Sequence, residues 1–425
     1  MPGAPHELQD FTPVLKDVYL PVRKKAFPLM TPLLANSRRF GKKEVQYGGN
    51  DLFFQVKLGR RGGFVASARG FLPDSKIAIE KRGRLSIART YATVSVDGLA
   101  IKATAGNKSS YIPAAKKVVE DVMEEWQLEQ NRILYSDSLA IRAIIDTVTD
   151  TTHVICSAPY GIIGAGPGNL HLVVGDQIAV LTLTGATLRG KTNITNIVLS
   201  GDNATLTYGA AVSSQAPTDI IVSCVTAATD ANDTSFGAEP HGIKSILDVE
   251  AAFGTFEGIQ DDRWVAQKLT STTIDEKILM RLLNTIRNRA GVDWRTDPKE
   301  MLLITTTGIW QAYGDSLLGI RRFDAPIMTL KGGFTAVQVA GAALVDDPWA
   351  PRGRVNAIHG PSTVFIDLMD FGEISFQDAP RWRQSNTRDA WEANFASYWN
   401  FGAYLRSSHG VISGITDTVN FSPVF

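Results

Sequence analysis

The chain has 425 residues, 44% of them apolar, with 43 basic and 43 acidic side chains and a formal net charge of zero. This length and apolar content allow two or three compact units with real cores, and the charge balance excludes a protein whose whole surface grips nucleic acid. No run of about 18 apolar residues occurs and the start "MPGAPHELQD" lacks a basic-then-apolar pattern, so neither a membrane span nor a secretory leader is readable.

Residues 1–40 carry six prolines, Pro2, Pro5, Pro13, Pro21, Pro28 and Pro32. Each fixes φ and removes an N–H donor, so the arm is expected to be extended rather than a long helix or a central strand. Val14, Leu15, Val18, Tyr19, Leu20 and Phe27 make it too apolar for a solvated tail, so it needs a surface to lie on. Between Asp51 and Lys102 the alternation of Ile77, Ile79, Leu85 and Ile87 with polar partners predicts a long antiparallel ribbon. A lone two-stranded ribbon is marginally stable in water, so it too is expected to find shelter on identical copies of the chain.

A helix follows in "SSYIPAAKKVVEDVMEEWQLEQNRILYSDSLAIRAIID", with Ser109 or Ser110 as cap, Pro113 in the first turn, and Val118, Val122, Met123, Trp126 and Ile133 near helical spacing. Unbroken to Asp146, it would span about 50 Å at 1.5 Å per residue. Composition then changes: residues 151–236 hold 13 threonines and no Trp or Met, and their short apolar runs between Gly, Asn and Pro signals predict a small all-β barrel or sandwich. Beyond 237 the pattern is mixed. Thr273 and Glu276 suit a capping box before the apolar face of Ile278, Leu279, Leu282, Leu283 and Ile286, and Gly291 can end that helix. "MLLIT", "TAVQVAGAALV" and "STVFIDLM" read as strands, and "DAWEANFASYWNFGAYLR" as one long strand.

"YGIIGAGPGN", residues 160–169, imitates a dinucleotide-binding loop. Such a loop needs a buried strand before the glycines, a helix starting on them and an acid about 20 residues on. Here Pro159 interrupts the strand, Asn169 takes the third glycine's place and "NLHLVVGD" alternates like a strand. A glycine-rich loop of the β-domain is the better reading, and no cofactor is expected. "YGDSLLG", residues 313–319, imitates the serine loop of GDSL-type esterases with Ser316 as nucleophile. Its helical context, and Asn356 and Arg406 where the acid should stand before His359 and His409, speak against hydrolysis. The six histidines have no metal-ligand spacing, and Asp261–Asp262 and Asp346–Asp347 are adjacent rather than set across a cleft. Cys156 and Cys224 are too few for a disulfide framework and are expected as buried free thiols.

Charge is unevenly placed. Residues 38–89 hold 13 Lys or Arg against 4 acids, and residues 117–150 hold 3 against 8. A basic ribbon and an acidic helix suit contact between copies, with DNA as the other partner for the ribbon. Exposed ion pairs contribute only about 0–1 kcal/mol each, so charge would set register while apolar burial supplies strength.

The order of parts, an apolar arm, a basic two-stranded loop, a long helix, an inserted β-domain and a mixed α/β body, resembles the major capsid proteins of tailed bacteriophages, whose Hong Kong 97-type fold encapsulins share. "SFGAEPHGIKSILD", Trp264, "TTTGIWQAYGDSLLGIRRF" and "VAGAALVDDPWAPRG" carry the resemblance through the later chain. It implies an α+β capsid fold: arm 1–43, extended β-loop 44–108, spine helix 109–148, β-rich insertion 150–236, peripheral domain 237–298 with 375–425, and axial domain 299–374. It further implies a non-enzymatic subunit that assembles into hexamers and pentamers of an icosahedral head enclosing double-stranded DNA, located in the virion and assembled in the bacterial host cytoplasm. Expected partners are other copies, portal, scaffold or decoration proteins, and packaged DNA by non-specific contact, with no membrane. Because the ribbon begins within about 50 residues of Met1, a fused scaffolding segment is not expected. Lys76 and Lys81 lie in the loop, but no Asn partner for a cross-link is identified. Arg60, Arg61, Lys81, Arg82 and Arg84 are the candidate loop contacts, and Glu120, Asp121, Glu124 and Glu125 their acceptors on an adjacent copy. The other readings are an encapsulin-like compartment, a DNA-binding protein or a GDSL-like esterase.

Overall fold

The computed structural model describes residues 32–33, 38–41, 51–57, 80–104, 114–201, 203–225, 233–248, 264–295, 300–318, 327–329, 335–373, 382–384 and 388–417. Strand β1 (Arg38–Gly41) is followed by the ribbon, β2 (Asp51–Lys57) and β3 (Glu80–Ser86), paired antiparallel from Asp51↔Ser86 to Lys57↔Glu80. The chain continues into β4 (Ala88–Asp97), a short helix α1 (Gly98–Thr104) and the long helix α2 (Ala114–Tyr135). Six strands then close a barrel: β5 (Ala143–Val148), β6 (His153–Ser157), β7 (Gln177–Leu181), β8 (Leu188–Ser200), β9 (Asn203–Tyr208) and β10 (Ile220–Ser223), in the order β10-β5-β6-β9-β8-β7. Closure leaves no open edge, and alternate residues such as Ile145, Val154, Cys156, Ile178, Val180, Ala204 and Leu206 fill the interior.

After the barrel come α3 (Ile243–Leu247), β11 (Gln267–Thr270), α4 (Glu276–Ala290), β12 (Met301–Thr305), α5 (Thr307–Leu318), β13 (Ile327–Thr329), β14 (Thr335–Val339), β15 (Ala342–Asp346), β16 (Arg354–His359), β17 (Thr363–Glu373), β18 (Trp382–Gln384), β19 (Ala390–Ala403) and β20 (Gly410–Ser413). One sheet runs β11-β20-β16-β12-β15-β14-β13, and the other runs β1-β17-β19-β18 with β4 on the far side of β19. Helices α4 and α5 cover the first through Leu279, Leu282, Ile286, Ile309 and Tyr313. Helix α2 lies on the second: Trp126 stacks on Phe371 at 4.7 Å between centroids and meets Trp399 edge-on at 6.2 Å. The central core, with Leu33, Tyr135, Tyr160, Trp349, Phe365, Trp399 and Phe401, joins both sheets to the barrel entrance.

Several expectations hold. The insert is a barrel, residues 390–403 form one strand, and the three strand candidates after 300 are strands. Others need correction. The long helix stops at Tyr135 rather than reaching 146–148, because Ser136–Ala140 form a polar turn: Asp137 accepts from the Leu139 N–H at 3.1 Å and Ala140 takes a left-handed φ of 60°. Residues 143–148 are then the first barrel strand, so the β-domain begins at 143 rather than 150. The start of the expected helix, 109–113, lies outside the described residues. The cap of α4 is Asp275, which accepts from Ile278 N–H at 2.7 Å, whereas Thr273 is engaged in a turn with Ser271. Gly291 ends the helix as expected, in the left-handed region.

The sheets also divide the chain elsewhere than at 298 and 374. Pairing of β11 with β20, and of β20 with β16, brings 267–270 and 410–413 into the sheet built on 301–305. Strand β17, at 363–373, crosses to the sheet of β4 and β19. Self-shelter is larger than expected as well: Leu33 of the arm is 1% exposed in the central core, and Leu85 of the ribbon is buried against Val364 and Ile366.

Gly242, just before α3, shows how tightly α2 is seated. A Cβ there would lie 2.2 Å from the Ile133 carbonyl oxygen and 2.6 Å from those of Leu134 and Ser136, all backbone atoms that cannot swing aside. Gly242→Ala is expected to destabilise the unassembled chain by about 3 kcal/mol, read as a lower urea midpoint at unchanged slope.

Candidate assembly surface

The basic ribbon is anchored at its base. Phe54 stacks on Trp264 at 6.1 Å, Val56 and Trp264 are buried together, and Leu85 fills the space left by Gly402. Of the five candidate basic contacts, Arg84 is exposed and pairs with Asp51 of its own chain at 2.8 Å across the ribbon. Lys81 and Arg82 pair through their backbones with Val56 and Gln55, and their side chains, like the whole of Arg60 and Arg61, lie outside the described residues. Lys76 lies outside them too.

The acceptors sit on α2. Glu120, Asp121, Glu124 and Glu125, spaced i, i+1, i+4 and i+5, share one helix face, with Glu120 and Glu125 exposed and Asp121 and Glu124 half-buried. Val118, Val122 and Trp126 take the inward face. The acidic stripe therefore looks outward because the apolar residues of the same helix are spent on the β4–β19 sheet.

At the other end of α2 lies a buried polar network that sequence reasoning missed. Arg132, with a side chain 2% exposed, donates to Glu129 at 3.0 and 2.8 Å and to Glu239 at 2.5 Å. Arg142 donates to Glu129 at 2.7 Å and to the His171 carbonyl at 2.9 Å. Burial works against the charge of Glu129, but Arg132 and Arg142 outweigh it and hold its pKa at about 2. Burial raises Glu239 above the usual carboxylate range even with Arg132 opposing. Nearby, Lys244 pairs with Asp137 at 2.8 Å and donates to the Tyr160 carbonyl at 2.9 Å, while the Tyr135 hydroxyl donates to Asp347 at 2.6 Å. These contacts fasten helix, barrel and sheet at one junction. The helical i, i+3 spacing of Glu129 and Arg132 was visible in the sequence; Glu239, 107 residues from Arg132, was not assignable as their partner.

The imitation motifs resolve into structure. Residues 160–169 form turns between β6 and β7 rather than a strand-to-helix loop, and the expected strand in "NLHLVVGD" is also a turn, with β7 starting only at Gln177. Asn169–Leu172 turn back on themselves through the Leu172 N–H to Asn169 carbonyl bond, which removes the alternation's pleated partner. Gly168 is required there because a Cβ would lie 2.2 Å from the Cys156 carbonyl oxygen. Ser316 sits inside α5 and donates to the Tyr313 carbonyl at 2.7 Å. His359 bonds to Ser362 at 2.6 Å, and its backbone N–H donates to His409 Nδ1 at 3.2 Å. Among the described residues no group of three His, Cys, Asp or Glu side chains could hold a metal ion, and no helix is long and apolar enough to cross a membrane. Cys156 is buried, which pushes its thiol up to about 12, and Cys224 is half-buried.

No family model matches the sequence, and no curated protein does. Among solved structures, a chain of the cyanophage A-1(L) capsid asymmetric unit is similar with a TM-score of 0.56 and 13% identity, over 95% of this chain and 98% of that one. A capsid chain of the native GTA particle has a TM-score of 0.47 at 6% identity, covering 94% and 95%. The SrpI encapsulin of Synechococcus elongatus PCC 7942 has 0.45 at 8%, covering 100% of both chains. Nearly end-to-end agreement with the cyanophage chain, for a molecule built from a ribbon, a long helix, a barrel and two sheets, gives this protein the fold of a phage capsid protein.

Proposed function

We propose that the chain is a major capsid subunit of the Hong Kong 97 type, many copies of which close an icosahedral phage head around double-stranded DNA. The observation that carries this reading is the fold shared with the cyanophage capsid chain along 95% of the sequence. In this reading α2 is the spine, the β2–β3 ribbon the extended loop, the β4–β17–β19 sheet the peripheral lobe, the β12–β16 sheet the axial lobe, and the barrel a surface insertion. Head-to-tail contacts around a rotation axis close hexamers and pentamers, and the arm and basic ribbon reach onto neighbours to tie the rings together. Arg60, Arg61, Lys81, Arg82 and Arg84 face Glu120, Asp121, Glu124 and Glu125 of an adjacent copy, setting register. The subunit resides in the virion after assembly in the host cytoplasm, with DNA held by non-specific contact and portal, scaffold or decoration proteins as further partners.

Negative-stain microscopy of the purified protein tests the reading: closed shells are expected, and discrete small particles at every concentration would overturn it. The double variant Arg60→Glu with Arg61→Glu is expected to lower shell yield at least ~10-fold, because several inter-copy pairs, each contributing up to about 1 kcal/mol, become repulsive at every repeat of the shell. The unassembled variant should unfold at the wild-type urea midpoint. Unchanged shell yield would remove these residues from the contact.

A further inference from the structure

We propose that a basic cavity between the turn after β6 and the β11–β20–β16 sheet binds the linked phosphate groups of a small molecule. The inference goes beyond the shell reading and does not depend on it. The pairings Thr270↔Ser413 and Ser413↔Arg354 set Lys268, Thr270 and Arg354 on one face of the sheet. Leu269, Ile412 and Val355 take the other face, against α4. The stretch that imitates a dinucleotide loop supplies the facing wall with Gly161–Gly164, and the Arg352 N–H ties it to the basic turn by donating to the Ala165 carbonyl at 2.9 Å. Between them lies a cavity of about 580 Å³, with Lys244, Lys268, Arg352 and Arg354 in its lining and Asp248 as the one acid there. Ile163, 89% exposed, stands at its rim.

The four cations are not equally engaged. Lys244 is held by the buried Asp137 at 2.8 Å and by the Tyr160 carbonyl at 2.9 Å, and Arg352 leans on the buried Asp417 at 3.6 Å. Lys268 and Arg354 share a single oxygen, Asp248 Oδ1, at 3.6 and 3.5 Å. Charge-assisted N–H to O contacts run at about 2.7–2.9 Å, so this carboxylate satisfies neither cation closely. Arg406 donates to the Ile246 and Asp248 carbonyls at 2.9 and 2.8 Å and adds positive charge behind Asp248. On the facing wall, the N–H groups of Ile163 and Gly164 have no acceptor among the described residues. Gly164 holds a φ of 75°, and a Cβ there would meet nothing within 4 Å, so its backbone borders open space. An ammonium, a guanidinium and backbone N–H groups converging from separate walls match tetrahedral oxygens that accept in several directions. Donors spread around a cavity of this size suit several linked phosphates rather than one. The recess favours a small molecule, because sites for small ligands are concave, whereas a DNA duplex carries its phosphates on a convex rod and would offer them singly.

The test is calorimetric titration of the full-length chain, before assembly, with sodium tripolyphosphate. Saturable binding of one tripolyphosphate per chain is expected, and its absence would overturn the proposal. Lys268→Gln combined with Arg354→Gln should weaken binding at least ~10-fold through the loss of two charge-assisted contacts. Asp248→Asn should tighten it at least ~3-fold, since it removes the one repelling charge in the lining. Urea midpoints confirm that each variant is folded, and where the double variant is not, the half-exposed Lys268→Gln alone should weaken binding at least ~3-fold. Wild-type affinity in the folded charge-removing variant, or in Asp248→Asn, would overturn this cavity as the site. Duplex DNA that displaces tripolyphosphate at equal phosphate concentration would overturn the small-molecule assignment. Shell formation is scored separately by microscopy, so failure of the shell reading and failure of this inference are read from different measurements.

Discussion

Replacing Arg132 by methionine is expected to destabilise the unassembled chain by about 3–5 kcal/mol, the range for stripping one partner from a buried ion pair. The guanidinium donates to two carboxylates at once, and only Glu129 has a second partner in Arg142. Methionine would fill much of the volume but leave Glu239 buried in a region that already pushes its pKa upward. The cost is therefore mainly that of an uncompensated buried charge rather than of lost packing. It follows that Arg132→Met combined with Glu239→Gln should recover a large part of the loss. Urea unfolding of wild type, both single variants and the double variant checks the cycle; equal midpoints for Arg132→Met and the double variant would show that Glu239 is not where the cost resides.

Asp347 gives the second large effect, read against pH. Burial raises its carboxyl to about 7, against the hydrogen bonds from Tyr135 and the Trp349 N–H that favour the charged form. Its folded pKa therefore lies above the unfolded value near 3.8. Its contribution to stability is complete below about pH 4 and is lost as pH rises through about 7, because the unfolded chain releases this proton first. A shift of this size corresponds to about 4 kcal/mol for a fully buried group. Asp347→Asn removes the titration, so the stability of wild type relative to the variant should fall by up to about 4 kcal/mol between pH 4 and pH 8. Urea midpoints at the two pH values check this, and a pH-independent difference would contradict it. The buried histidines act in the opposite sense: burial lowers His409 to about 3 and His241 to about 4. The stability they contribute is present above pH 6.5 and lost as pH falls through those values. Comparing wild type with Asp347→Asn isolates the carboxyl from them.

The Asp347 and Arg132 predictions concern the junction that the sequence left unread, and the reason is physical. Tyr135 and Asp347 are 212 residues apart and Arg132 and Glu239 are 107 apart. A charged residue on a helix reads equally well as solvated or buried until its partner is placed. The same holds for the end of α2, where no Gly or Pro marks the stop and the polar turn 136–140 is secured by Asp137 meeting Lys244 from after the barrel. The acidic stripe on α2, by contrast, was legible, since its spacing and the apolar face of Val118, Val122 and Trp126 are local properties of one helix.

From the sequence alone came the order of the parts: ribbon, long helix, barrel, mixed body and the 14-residue strand at Ala390–Ala403. Periodicity and composition report local geometry and burial, and these suffice for element type. Tertiary structure alone decided which sheet each strand joined, where the long helix ended, how Leu33 and Leu85 found cover within one chain, and which buried charges met. Strand pairing and buried ion pairs are agreements between distant segments, and their free energy exists only once both segments have left water together.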